Sequence, residues 1–463
     1  MKKILSAIFL CVLALSSMAG PARLEKNKYG ATQLIVDGKP YLMIAGELHN
    51  SSNSTTVYMN GLWQSLKNLN LNTVLAPIAW EQLEPQEDRF DFTLIDNLID
   101  GARRNRLKVV VLWFGSWKNG ESSYAPSWVK TDTKKYRRVV NAEGKEIETL
   151  SPFCEATMKA DAKAFRRLMR HIAEIDHDGT VIAVQPENEI GIFAEKDFSP
   201  IAGKFYESQV PQVLITYMKK NIKRLRPYLR DAWVANGSKT AGTWNEVFGD
   251  GYRAKHYCTT WQYATYVDYV AQAGKEELPV PTFCNCWIVQ SEGDLPGVYP
   301  NGGPVSLVFD IWKAAASHVD ILCPDIYLPQ FKDIVADYHR HDNPLLIPEA
   351  TVNPGNAFYA FSEHNALCYS PFGIEDADGN YCFAQSYKVL NELMPLIVRH
   401  QGSDNIRGFL PAEGETESTV RMGDYHLRVC FDSPQSYGMV IQEAPGEFVV
   451  AGNSAGFCQN LSS

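Results

Sequence analysis

The sequence predicts a (β/α)8 barrel followed by a small antiparallel β-domain. Three observations predict it: eight short apolar or β-branched runs recur along the chain, helical stretches separate them, and after residue 400 the pattern changes to strands with Gly and Pro turns. Runs that are apolar throughout, rather than alternating, belong to strands buried on both faces, as in a parallel sheet covered by helices. Eight of them in alternation with helices form a closed barrel.

Composition narrows the class. Of 463 residues, 45% are apolar and 11% aromatic. That much apolar surface offsets the entropy of ordering, which excludes a disordered chain, and the length is too short for three ordinary domains. The formal charge of −9 would oppose binding to nucleic acid or anionic lipid, so neither is an expected partner. Ten Trp and 22 Tyr suit a ligand with flat, weakly polar faces such as a sugar, although most of them serve as core.

Residues 1–19 read as a secretory signal. Lys2 and Lys3 precede an apolar run over 4–15, and small residues follow to Ala19. The run is too short to span a bilayer, and no later segment reaches 18 apolar residues. An exported protein, periplasmic or extracellular and not inserted in a membrane, is expected.

The barrel is expected over 20–400. Its strands are predicted at 41–45, 73–78, 108–113, 181–185, 280–285, 319–324, 345–348 and 366–369, with helices over 92–105, 159–175, 210–229 and 306–317. The third-to-fourth and fourth-to-fifth connections are much longer than the others, and are expected to be insertions on the rim. A further helix over 383–399 should kink or end near Pro395. A partial, sandwich-like β-domain is expected over 401–463, with strands at 406–410, 426–431, 437–441 and 447–450. Residues 456–463 give the chain no convincing ending, so a shortened domain is expected. The pattern carries no signal for an oligomeric state.

Several motifs fail on inspection. Setting aside Cys11, an odd nine cysteines remain, and Cys284, Cys286, Cys323 and Cys368 sit in strand-like contexts where a thiol is a small core residue. The pair at 284 and 286 is too few ligands for a metal, and the spacing assigns no disulfides. The serine-hydrolase pattern at Gly452–Gly456 has no histidine after it, because the last is His426. The acidic run Asp376–Gly379 places its glycine too early for a calcium loop. No phosphate-cradling or dinucleotide loop is present, and neither metal nor cofactor is expected.

What remains is a pair of carboxylates at strand ends. The run from Val181 leads into Gln185-Pro186-Glu187-Asn188-Glu189, and the run from Pro344 ends in Glu349. Such groups cannot lie in a core without partners, and the carboxyl ends of barrel strands are where catalytic groups collect. Hydrolysis of a glycosidic bond needs such a pair: one carboxyl held protonated to donate to the leaving oxygen, the other ionised to attack the anomeric carbon. At roughly 5 to 5.5 Å apart the reaction retains configuration.

The segment Glu187-Asn188-Glu189-Ile190-Gly191 resembles the acid/base signature of clan A glycosidases, and is closest to the Glu-Asn-Glu-Tyr-Gly of family 35 β-galactosidases. Asn72-Thr73 through Trp80, Glu84-Pro85 and Phe90-Asp91-Phe92 are similar to a family stretch, as is Tyr124-Ala125-Pro126-Ser127-Trp128. Ala79–Pro85 also resembles family 42. Ile190 replaces the family tyrosine, and Trp113–Asn119 departs from the family's Asn-Ala-Glu. The chain resembles a divergent bacterial branch of family 35 with a C-terminal β-domain.

The resemblance implies that Glu189 is the general acid/base, that Asn188 contacts the 2-hydroxyl and that Glu349 is the nucleophile. Tyr327 matches the clan's tyrosine that donates to the nucleophile. Trp80, Trp113, Trp117 and Trp287 are candidates for stacking on the sugar, and Glu47, His49 and Asn285 for holding its hydroxyls. The function so implied is a retaining, exo-acting β-galactosidase removing terminal galactose from a glycan. Another clan A β-glycosidase, or a non-catalytic carbohydrate-binding barrel, stands as the alternative.

Overall fold

The computed structural model describes residues 20–457; the expected export signal over 1–19 lies outside the described residues, as does 458–463. Eight parallel strands form the barrel: β1 (Met43–Glu47), β2 (Thr73–Ala79), β3 (Lys108–Lys118), β4 (Val181–Asn188), β5 (Phe283–Trp287), β6 (Ile321–Ile326), β7 (Ile347–Ala350) and β8 (Cys368–Pro371). Each of the eight predicted runs corresponds to one of them. The strands are ordered β5-β6-β7-β8-β1-β2-β3-β4. The ring closes where the Val184 amide donates to the Pro281 carbonyl at 3.0 Å.

One main helix follows each strand: α1 (Thr56–Asn68), α2 (Thr93–Asn105), α3 (Glu155–Ile175), α4 (Tyr252–Lys275), α5 (Phe309–Ala315), α6 (Phe331–Tyr338), α7 (Pro354–Glu363) and α8 (Tyr381–His400). Caps fix several starts. The Thr55 side chain accepts from the Tyr58 amide, and Asn380 accepts from Phe383. Between strands and helices lies a continuous apolar layer that includes Leu66, Val74, Leu98, Val111 and Leu168. Each such side chain contributes about 1.5–3 kcal/mol by leaving water.

Four features differ from the sequence reading. The helix expected over 210–229 is two, Gln212–Asn221 and Pro227–Ala235, because Pro227 supplies no amide and disfavours helix just before it. Conversely, α8 runs on through Pro395: the lost hydrogen bond is outweighed by packing of Phe383, Tyr387, Leu390 and Ile397. Helix α4 was not predicted, since its buried residues, among them His256, Thr259, Tyr263 and Tyr266, leave no single apolar stripe. An unpredicted antiparallel sheet (Arg23–Lys26, Thr32–Val36, Lys39–Tyr41) precedes the barrel. Its Leu34 and Val36 pack with Met43, Val110, Phe283 and Ile321, plugging the end where the strands begin.

That plug leaves the opposite end, where the strands finish, as the open face. The long connections are elaborated there. The β3–α3 segment carries a hairpin (Arg138–Val140, Glu146–Leu150), and the β4–α4 segment carries four short helices. After α8 come β9 (Ile406–Phe409), β10 (Glu417–Met422), β11 (Tyr425–Phe431), β12 (Tyr437–Ala444), β13 (Glu447–Asn453) and β14 (Ala455–Phe457). They pair as two three-stranded antiparallel sheets, β9-β12-β13 and β10-β11-β14. Val420, Met422, Val429, Phe431 and Val440 form their shared core.

Candidate active site

The end of β4 is strained and held from three sides. Glu187 and Glu189 have φ of 64° and 43°, a region that non-glycine residues occupy at a cost of order 1–3 kcal/mol. The Trp117 amide donates to Glu187 Oε2 at 2.7 Å, and Gln185 Nε2 to the Glu187 carbonyl at 3.1 Å. The Glu189 amide donates to Asn285 Oδ1 at 3.0 Å, and the Gly120 amide to the Glu189 carbonyl at 3.0 Å. Asn119 Nδ2 donates to Glu189 Oε2 at 2.6 Å. These bonds fix the backbone and the carboxyl of Glu189 at the end of β4.

Behind the turn, the Glu187 carboxyl lies close to that of Asp161, both near Gly115. Burial and then the Asp161 charge push Glu187 well above the usual carboxylate range. Asp161 also accepts from Trp113 Nε1 at 2.8 Å and Ser116 Oγ at 2.6 Å. A side chain at residue 115 would begin 2.6 Å from Glu187 Oε1 and 2.8 Å from Asp161 Oδ1. Only glycine fits there.

Glu349, on β7, faces Glu189 across the mouth of the barrel. One carboxylate oxygen from each of Glu189, Asp325 and Glu349 lies within 4.8 Å of the others. Tyr327, just past β6, donates from its hydroxyl to Glu349 Oε1 at 2.6 Å, and Glu349 Oε2 has no partner. Asn285 Nδ2 donates to Asp325 Oδ2 at 2.7 Å. Thus Asn285 bridges the Glu189 backbone to the Asp325 carboxylate.

Crowding of carboxyls in a buried site raises their affinity for protons. Burial, then the Glu349 charge, pushes Glu189 up to about 7, with the Lys118 ammonium opposing. Burial and Glu349 likewise push Glu47 and Asp325 well above the usual range. Three such oxygens are also a donor set that a hard cation takes. Of these three, Glu189 and Asp325 are pushed toward protonation by burial and the Glu349 charge. Several buried polar atoms at these strand ends are unpartnered: both amide atoms of Asn188, Glu47 Oε1 and Asp325 Oδ1. They await hydrogen bonds from a polar ligand.

The other candidates separate into rim and core. Trp287, at the end of β5, stands at the rim with Phe193 edge-on at 5.7 Å between ring centroids. His49 is also at the rim, its Nε2 2.8 Å from Asp376 Oδ2 and its ring edge-on to Phe372. The stacking expected of Trp80, Trp113 and Trp117 is corrected: each is at most 1% exposed, so none offers a face to a sugar. Their indole N–H groups are consumed inside the protein, by Glu84 Oε2, Asp161 Oδ1 and the Leu150 carbonyl. Asn285 is corrected too. Its amide is spent on Glu189 and Asp325 rather than presented to a hydroxyl.

The sequence reading missed Asp325, Lys118, Asn119 and the Glu187–Asp161 pair. Asp325 had a signal, a carboxylate at a strand end two residues before Tyr327. Lys118 and Asn119 lie in the very stretch that departs from the family pattern, so resemblance offered nothing there.

The fold is that of the (β/α)8 barrels, which solved β-galactosidases share. Within it the chain is family 35-like: residues 33–241 match the sequence model of glycosyl hydrolases family 35, and residues 383–459 match a domain of unknown function, DUF5597. A β-galactosidase of Xanthomonas manihotis is 29% identical over 171 residues, which is 35% of this chain and 26% of the relative. Two solved β-galactosidases share the fold, each with a TM-score of 0.52. That of Bacillus circulans sp. alkalophilus is 14% identical over 76% of this chain and 56% of its own. That of Rahnella sp. R3 is 15% identical over 77% and 57%. The chain therefore matches about a quarter of the curated relative and a little over half of each of these structures.

Proposed function

We propose that the protein is a retaining, exo-acting β-galactosidase that releases terminal non-reducing β-D-galactose from a glycan by double displacement. One observation carries the reading: carboxyl oxygens of Glu189 and Glu349 lie within 4.8 Å of each other on opposite sides of the barrel mouth. This is the spacing of a nucleophile and an acid/base acting on one anomeric carbon, rather than the roughly 6.5–9.5 Å that leaves room for a water.

In the first step Glu349 Oε2, free while Tyr327 holds Oε1, attacks the anomeric carbon. Glu189, carrying the proton that burial and Glu349 favour, gives it to the departing glycosidic oxygen. The glycosyl–Glu349 ester forms and the glycosidic C–O bond breaks. In the second step Glu189 takes a proton from water, the water oxygen attacks the anomeric carbon, and Glu349 leaves as carboxylate. Two inversions give net retention. Asn188 and Glu47, with their unpartnered buried atoms, hold the sugar hydroxyls, and Trp287 supplies an aromatic edge at the rim.

Galactose as the sugar is supported by the family 35 match and by the β-galactosidase relative. Export is supported by the basic start and apolar run of residues 1–19, and by Cys430, which is disulfide-bonded, a state that persists in oxidising compartments. Among the described residues no helix is long and apolar enough to cross a membrane. The test is a panel of nitrophenyl glycosides. The β-galactoside should give the highest kcat/KM; a clear preference for glucoside, xyloside or arabinoside transfers the claim to another clan A β-glycosidase.

A further inference from the structure

Away from the barrel mouth, at the plugged end where the strands begin, two histidines meet. His339 caps the end of α6 and His364 the end of α7, and their Nδ1 atoms lie 3.3 Å apart. We infer that this pair is a zinc site, in which one Zn2+ bridges the ends of α6 and α7. The inference goes beyond the glycosidase reading and does not depend on it. The sequence offered no signal for it, since the two residues stand 25 positions apart.

Spacing is the first support. Imidazole nitrogens bind Zn2+ at roughly 2.0–2.1 Å. One ion bound to two nitrogens 3.3 Å apart sees them about 107° from each other, near the tetrahedral angle that Zn2+ takes and away from the right angle of square-planar Cu2+. As a hydrogen bond the same contact is long, outside the roughly 2.7–3.2 Å of N–H donors. The two remaining positions on the ion fall to water, because no third His, Cys, Asp or Glu among the described residues completes the set.

The state of the two rings is the second. A histidine binds metal through a lone pair, so a bound proton competes with the ion. Burial, then the Lys26 ammonium, holds His339 below the usual histidine range, and burial, then His339, pushes His364 down to about 4. Both rings are therefore neutral at pH 7. Neither Nε2 has a hydrogen-bond partner among the described residues. With the ring proton there, both Nδ1 lone pairs face the space between the helices. Lys26, on the first strand of the plug, opposes a cation, but it is exposed and solvent screens it.

The third is that the ligands are held in place before an ion arrives. The His339 amide donates to the Val335 carbonyl at 2.9 Å, and the His364 amide to the Ala360 carbonyl at 3.2 Å. The His364 ring packs against Tyr359 with centroids 5.5 Å apart. Beside it, Asn365 Oδ1 accepts from the Gly402 amide at 2.6 Å. Little ordering is therefore left for binding to impose. Both histidines stand at helix C-termini, whose partial negative charge favours a cation, and both are only partly buried, so an ion enters from solvent.

The experiment titrates Zn2+ into the chelator-stripped protein against a chromogenic zinc indicator, for wild type, His339→Gln, His364→Gln and Glu349→Gln. The last removes a ligand from the carboxylate cluster at the barrel mouth, the other donor set for a cation. Melting without zinc checks that each variant is folded. The expected result is one equivalent bound by wild type and by Glu349→Gln, with binding about tenfold or more weaker in each histidine variant. Zinc at about 100 times Kd should raise the wild-type Tm by about 2 °C or more. Co2+ in place of Zn2+, on the wild type alone, should give the strong visible absorption of a four-coordinate ion. No binding by wild type, equal binding in both histidine variants, loss in Glu349→Gln alone, or the weak spectrum of octahedral cobalt overturns the site. No arm reads activity, so the result stands apart from the fate of the galactosidase reading.

Discussion

The Tyr327 hydroxyl donates to Glu349 Oε1 across 2.6 Å, leaving Oε2 as the one unpartnered oxygen of that carboxylate. In the proposed mechanism the bond selects which oxygen attacks and holds the plane of the carboxylate. Tyr327→Phe keeps the ring and removes only the donor. It should lower kcat by about 10- to 100-fold, as one hydrogen bond to a charged group of about 1.5–3 kcal/mol implies. KM for an aryl galactoside should change little. Steady-state kinetics check it.

Glu349→Gln should abolish turnover, because a neutral amide neither attacks nor leaves. Glu349→Gly opens space at the same place, and azide should then restore cleavage of an activated β-galactoside to give the α-galactosyl azide. NMR of the product settles the anomer. Near-native kcat in Glu349→Gln would show that the nucleophile lies elsewhere.

In the proposed mechanism the acid limb sits on Glu189, which must carry a proton in the free enzyme. With that carboxyl pushed up to about 7, kcat/KM should be lost as pH rises through about 7. Glu189→Gln should remove that limb, and should retain more activity on nitrophenyl leaving groups than on oligosaccharides, since a good leaving group needs no proton. A pH–rate profile of wild type and variant tests both.

Stability should follow the same proton. Folded Glu189 binds a proton more tightly than it does in the unfolded chain, so its contribution is fully present below the usual carboxylate range and lost as pH rises through about 7. Glu47 and Asp325 act in the same direction. Tm should therefore fall between about pH 5 and pH 8, and Glu189→Gln should flatten the fall. Melting curves across that range would show it.

Asn285 should prove structural to the site rather than a sugar contact. Replacing it with Ala leaves the buried Glu189 amide and the Asp325 carboxylate each short of a partner. A loss of about 2–4 kcal/mol is expected, accompanied by lower kcat as the strained Glu187–Glu189 turn relaxes. Denaturant unfolding and kinetics on the same preparation check the two effects.

The barrel was legible because its strands are buried on both faces, and uninterrupted apolar runs leave a mark that survives without any partner in view. Helix α4 left none, since a helix surrounded on all sides by protein carries no stripe. The proposed catalytic pair stood out for a related reason: Glu189 and Glu349 each terminate such a run, and a carboxylate at a buried strand end demands an explanation. Trp80, Trp113 and Trp117 show the opposite case. An indole on a wall of the site and an indole behind it look the same in sequence, and only the partner of its N–H distinguishes them. The roles of Asn119 and the Glu187–Asp161 pair depend on contacts between residues tens of positions apart, which no local pattern encodes.

The most direct test is to trap the covalent intermediate. A 2-deoxy-2-fluoro-β-galactoside with an activated leaving group slows both steps, most of all the release, and the protein is then digested and analysed by mass spectrometry. The account expects one equivalent of fluorogalactosyl on the peptide that contains Glu349. A label on any other residue, or turnover of ordinary substrate with release of the α-anomer first and no label at all, would contradict it.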